Sequence, residues 1–262
     1  MNPPQNPPSQ NKPYLYEEPQ SKALAELLEK MTQGRPDKAQ AASKRLTSTK
    51  VRNDLFDADR GLVRGRTRTV EAMWYLLKCL LFLTPIPVPS SLKRAVLRWF
   101  GANIGRGVVI KPRVNIHFPW KLTLGDHTWV GEEVFILNFE PVNIGAHCCV
   151  SQRAFLCTGN HDFRQPDMRY RNRAITVEDG AWIGAQVFVS PDVTIGTEAV
   201  ITAGSVVTKS QPAKMVCGGN PCVAVKHRWP ENYSGGFRFD EYRDASSGEA
   251  LASMEKSAVN VQ

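Results

Sequence analysis

No two of the six cysteines, Cys79, Cys148, Cys149, Cys157, Cys217 and Cys222, stand in a C-x-x-C pair. Neither a zinc ribbon nor a thioredoxin-type centre is signalled, and free thiols fit a reducing, cytoplasmic setting. An apolar run of the ~20 residues that a membrane-spanning helix needs is also missing. The stretch 71–83 is strongly apolar, but Lys78 interrupts it and Pro85, Pro87 and Pro89 end any helix there. The opening, MNPPQNPPSQNKPY, lacks the basic and apolar segments of a secretory signal. Acidic groups are in deficit: 33 Lys and Arg against 25 Asp and Glu leave a formal charge of +8. That surplus suits an anionic partner such as nucleic acid, a membrane surface or a phosphorylated ligand, and charge alone does not choose among these. No nucleic-acid partner is expected.

Composition divides the chain. Residues 1–54, rich in Pro, Gln, Lys and Ser, read as a disordered extension in which only Ser21–Met31 has an amphipathic pattern. Residues 55–101 read as a helical flank, basic and apolar. Arg60, Arg64, Arg66 and Arg68 precede its apolar stretch, and Lys93, Arg94 and Arg98 follow it. Two readings compete for this flank. It lies on an anionic membrane surface through residues 60–98, or it closes the open end of the domain that follows. Residues 229–262 read as a polar, flexible tail.

Residues 102–228 repeat with a step of six. Ile104, Ile110 and Ile116 begin the series, followed by Leu124, Val130 and Ile136, then Ile144, Val150 and Leu156. After a long insertion it resumes through Val177, Ile183, Val189, Ile195, Ile201 and Val207. A period of six fits neither an α-helix nor a half-buried strand. It fits a short strand plus a corner, with each anchor pointing inward. Extra residues follow every third anchor in the first three rounds, so three hexapeptides make one triangular turn. The expectation is an all-β, parallel β-helix of about five coils. Glycines directly after anchors, such as Gly125 and Gly184, are read as supplying the backbone angles of tight corners.

All three insertions must share one edge, where a pocket has room to form. They bring Phe118–Trp120, Phe139–Pro141 and the loop TGNHDFRQPDMRYRN, with His161 at its base. That loop, WIGAQVFVSPDVTIGTEAVITAGSVVTK and GGNPCVAVK together resemble the hexapeptide-repeat acyltransferases with a left-handed β-helix. The flank RWFGANIGRGVVIKPRVNIHFPWKLTLGDHTWVGEE is similar to the colanic-acid biosynthesis acetyltransferases of WcaF type. The likeness covers roughly residues 55–228.

The resemblance implies a homotrimer, acetyl-CoA as donor in the groove between prisms, a saccharide acceptor, no metal, and His161 as general base. An alcohol is a poor nucleophile until its proton is taken, and imidazole titrates near working pH. Asp162 either orients that imidazole or is a solvated loop carboxylate. Asn138 is a ligand-binding or a turn residue. Trp120 and Phe139 wall the acceptor pocket or pack the corner, and Trp182 lines the groove or covers the surface. By resemblance the oxyanion donor lies near Gly184 and Ala185, the pantetheine arm follows Ala203 and Gly204, and Lys209 meets phosphate, with Lys226 and Arg228 as weaker candidates. Rivals are a small galactoside or antibiotic acceptor, a non-catalytic scaffold, and a zinc hydratase. For the last, His127 and His147 are one coil apart and stack on one outer face, but no third ligand is evident.

Overall fold

A computed structural model describes residues 50–229. The amphipathic stretch 21–31, most of the N-terminal extension and nearly all of the tail lie outside them. The described chain forms two units: residues 50–62 with 161–171, and residues 63–160 with 172–229.

The larger unit is a three-faced prism. Face A carries β1 (Asn103–Ile104), β4 (Leu122–Leu124), β7 (Val142–Ile144), β10 (Ile175–Val177) and β13 (Thr194–Ile195). Face B carries β2 (Val109–Ile110), β5 (Trp129–Val130), β8 (Cys149–Val150), β11 (Trp182–Ile183), β14 (Val200–Ile201) and β16 (Met215–Gly218), with β17 (Val223–His227) antiparallel at its end. Face C carries β3 (Asn115–Ile116), β6 (Phe135–Leu137), β9 (Phe155–Cys157), β12 (Phe188–Val189) and β15 (Val206–Val207). Every anchor of the six-residue series is buried, as is the residue two before it, so strand alternation fills the core from both positions.

The turns number about six rather than five. Gln211 bridges to Ile195 on face A, β16 pairs with β14, and Val206 donates to the Gly219 carbonyl at 3.0 Å. The inward residues of this last, partial turn are Gln211, Cys217 and Cys222. None is Ile, Leu or Val, which is why the anchor pattern ends early.

The corner glycines also have a different cause. Gly125 and Gly184 do not adopt positive φ; a Cβ on Gly125 would stand 2.4 Å from the Ala146 nitrogen of the next coil, and one on Gly184 2.6 Å from that of Ala203. Close stacking of successive corners excludes a side chain. Left-handed φ instead falls on Arg113, Glu133, Arg153, Gln186 and Gly204 at one corner, and on His127, His147 and Glu198 at another.

Two helices close the open end of the first coil. α1 (Arg68–Leu81) starts at Thr67, whose hydroxyl accepts from the Val70 N–H, and α2 (Ser90–Trp99) follows the prolines. An end strand leaves backbone carbonyls without a partner coil. Arg98 donates to the Ile104 carbonyl on face A, Arg94 to Val108 and Lys93 to Ile110 and Lys111 beside face B, and Trp74 Nε1 to Ile116 and His117 on face C. Lys78 reaches the Asn115 side chain, and burial lowers the pKa of both Lys78 and Lys93. These cations cap strand ends. The outward side of the cap exposes Met73, Leu76, Leu80 and Trp99. Among the described residues no helix is long and apolar enough to cross a membrane.

Candidate active site

The smaller unit holds His161. Its ring lies against Phe56 (centroids 5.2 Å apart) and Tyr170 (5.0 Å), and its strand bridge to Tyr170 closes the loop. Met168, at φ +48°, turns its carbonyl to Nδ1 of His161. A carbonyl only accepts, so Nδ1 carries the hydrogen and Nε2 of the neutral ring carries the lone pair. This is the tautomer that a general base acting through Nε2 requires. The orienting partner given to Nδ1 is thus a carbonyl, not Asp162. The Asp162 carboxylate accepts from the Arg164 N–H at 3.2 Å, and its own N–H donates to Arg169 at 2.8 Å. Phe56 carries no signal in the sequence, because it meets the loop from a hundred residues away in the chain.

The loop's roots belong to the prism and stand at the corner between faces C and A. All three insertions, 117–121, 138–141 and 158–174, occur there, as their spacing predicts. Arg173 N–H donates to Thr158, and Asn160 N–H to the Asn172 side chain. Asn138 is fully buried; its Oδ1 accepts from the Phe118 N–H at 2.8 Å and its Nδ2 donates to the Phe118 carbonyl at 2.6 Å. Its amide is committed to holding two coils in register, the turn role rather than the ligand role. Trp120 stacks on Phe118 and donates to the Arg64 carbonyl at 2.6 Å, while Phe139 lies edge-on to His117. Both pack the corner and remain partly accessible. Burial, then the charges of Lys78, Arg64 and Lys121, pull the His117 pKa down to about 4.

Gly184, Ala185, Ala203 and Gly204 lie on the other edge of face C, at the corner with face B. Gly184 N–H donates to Ile201 and Gly204 N–H to Ala185, both at 2.8 Å. No backbone acceptor stands within hydrogen-bond reach of the Ala185 and Ala203 N–H groups, in contrast to those of the two glycines. At Gly204 a Cβ would meet nothing within 4 Å, leaving this edge open. A cleft of about 360 Å³ below it is lined by Ala185, Gln186, Gln152, Arg153, Glu132 and Glu133. Lys209 is exposed at the C–A corner. Arg228 is committed elsewhere, donating to the Gly180 and Glu198 carbonyls at 2.9 Å. Trp182 stands outward on face B with Nε1 bonded to the Ser151 hydroxyl at 2.9 Å. His127 and His147 do stack, 5.3 Å apart, but among the described residues no three His, Cys, Asp or Glu side chains are grouped to hold a metal. Cys148 is buried, its thiol pushed up by burial, which suits a core residue and not a nucleophile.

Comparison with known proteins agrees with this architecture. A family model described as bacterial transferase hexapeptide (six repeats) matches residues 174–209. The protein assigned as the colanic acid biosynthesis acetyltransferase WcaF of Escherichia coli strain K12 is 40% identical over 173 residues, 66% of this chain and 94% of that protein. The galactoside O-acetyltransferase of the same organism is 28% identical over 144 residues, 53% of this chain and 70% of its own. Among solved structures, a hexapeptide-repeat acetyltransferase from Vibrio cholerae superposes with a TM-score of 0.56 at 25% identity, covering 61% of this chain and 90% of the other. A galactoside acetyltransferase in complex with coenzyme A superposes with a TM-score of 0.59 at 22% identity, covering 75% and 94%. The prism is therefore the left-handed β-helix of these enzymes, and the chain belongs to the hexapeptide-repeat acetyltransferase family.

Proposed function

We propose that this enzyme transfers acetyl from acetyl-CoA to a hydroxyl of an exopolysaccharide or of its lipid-linked precursor. The observation that carries the mechanism is the Met168 carbonyl on Nδ1 of His161. With Nδ1 protonated, Nε2 takes the proton of the acceptor hydroxyl as its oxygen attacks the thioester carbonyl. The tetrahedral oxyanion is met by a backbone N–H, for which Ala185 is better placed than Gly184 because the latter is bonded within the sheet. Collapse breaks the C–S bond; the imidazolium returns its proton to the departing thiolate, giving coenzyme A and an O-acetyl ester. Transfer is direct, within a ternary complex.

A trimer explains why the site is divided between two edges. The outward ladder of face A is polar: Asn103, Thr123, Asn143, Thr176 and Thr194. That of face C is mostly aromatic: Phe135, Phe155 and Phe188, with the first two rings parallel at 4.8 Å. Turning face C toward a three-fold axis buries those rings and sets each C–A edge beside a neighbour's B–C edge. The loop of one copy then meets Ala185, Ala203 and Gly204 of the next, with Lys209 near the phosphates. Trp182, just outside that edge, and Trp120 and Phe139 border the acceptor. The exposed row Met73, Leu76 and Leu80, with Arg68 beside it, is the surface for peripheral contact with an anionic membrane, where lipid-linked saccharides are assembled.

The test is coenzyme A release with a panel of free and lipid-linked sugars, with products identified by mass spectrometry. His161→Ala is expected to lose ~10²–10⁴-fold in turnover while keeping its assembled mass. Near-normal turnover by the folded variant removes His161 from the mechanism.

A further inference from the structure

Two tryptophans share face B. Trp129 is 54% exposed and Trp182 47% exposed. Both pair with Cys149, Trp129 from β5 and Trp182 from β11, so the indoles are two strands apart along the prism, about 9.6 Å. Cys149, the strand position between them, carries a much smaller side chain than either indole. The Ser151 hydroxyl fixes the Trp182 ring through Nε1. On one side of this floor stand the stacked His127 and His147; on the other are Glu132, Gln152 and Arg153 of the cleft described above.

An aromatic floor with polar rims fits a sugar chain, whose rings offer apolar C–H faces to stack on indoles and hydroxyls for the rims. Structural packing does not account for Trp129: its indole is exposed on the outer face of the prism, and its backbone alone completes the ladder. Resting on the reading of this enzyme as a saccharide acetyltransferase, we propose that Trp129 and Trp182 form an extended subsite for the acceptor. The polysaccharide runs parallel to the prism axis, with Trp182 nearer the reacting hydroxyl and Trp129 one sugar unit or more away, toward the helical cap. The two indoles stand at roughly the repeat of a disaccharide. The donor then enters from the late coils and the acceptor from the early ones, which keeps the two substrates from competing for one path.

The experiment uses the oligosaccharide pool released by mild acid from the producing cells' exopolysaccharide, and the monosaccharides from its complete hydrolysis. Tryptophan fluorescence of the full chain is titrated with each. The oligosaccharides are expected to change the emission, and Trp129→Ala is expected to weaken their binding about three- to tenfold, with the monosaccharides affected less. Trp129→Phe should restore much of the difference. Unaltered oligosaccharide binding by Trp129→Ala overturns the subsite, as does a change in assembled mass by light scattering, which would make Trp129 an interface residue. Acetyl transfer to the same pool, followed in parallel, separates the outcomes. Transfer without dependence on Trp129 sinks the subsite alone, whereas absence of transfer to any saccharide sinks the function on which it rests.

Discussion

The A–B and C–A corners join the same three sheets and differ in almost every other respect. Each A–B corner spans four residues, as at 105–108, 125–128, 145–148, 178–181 and 196–199; its last residue points into the core, Thr128 is the one polar side chain buried there, and His127 and His147 stand in solvent. The C–A corners vary from 138–141 to 158–174, and they bury polar side chains: Asn138, Thr158 and Asn172. A solenoid needs only the first kind of corner. Burying an amide or a hydroxyl costs free energy unless each of its groups is bonded, so the second kind persists where something beyond stacking is built. Faces A and C differ in the same sense, one edged with Asn and Thr, the other with phenylalanine.

The largest expected effect breaks the contrast between faces. Phe155→Glu puts a carboxylate into the aromatic ladder of face C, while Thr176→Glu puts one on polar face A. Light scattering should show Phe155→Glu as a monomer with little turnover and Thr176→Glu with its assembled mass intact. Retained assembly in Phe155→Glu would refute the choice of face C.

Next comes the contrast between corners. Asn138→Leu leaves the Phe118 N–H buried without a partner, while the Phe118 carbonyl keeps the Lys121 N–H, so denaturant unfolding should register a loss of about 2 kcal/mol. His127→Ala at an A–B corner should stay within about 0.5 kcal/mol. Equal effects at the two sites would erase the distinction.

The smallest effect sharpens it with pH. His117, half-enclosed at a C–A corner, has its pKa lowered from 6.5 to about 4. The folded state therefore resists protonation that the unfolded state accepts. Stability is full above the unfolded value and falls as pH drops from about 6.5 toward 4, by about 2 kcal/mol between pH 8 and pH 5. Comparing wild type with His117→Gln isolates this contribution, which the substitution should abolish. Unfolding curves of the two proteins that shift in parallel over that range would contradict the assignment.

Much of this was legible without coordinates. The six-residue step places every anchor inside, and the extra residues after every third anchor place the insertions on one edge, as the sheets confirm. The sixth turn was not legible, since Gln211, Cys217 and Cys222 fill it without aliphatic anchors. The role of the basic flank was not either: Lys93, Arg94 and Arg98 look the same in sequence whether they meet lipid or strand carbonyls.

The sequence by itself determined the coil, because each hexapeptide meets mainly the ones three before and three after it, and such contacts leave a period in the chain. The tertiary structure alone decided which side chains converge from unrelated distances. Phe56 on the His161 ring, the Met168 carbonyl on Nδ1, Asn138 locked to Phe118, and Trp129 standing in line with Trp182 follow from no period. They arise where stacked coils bring edges and loops together in space, and that proximity is set by packing, not by spacing along the chain.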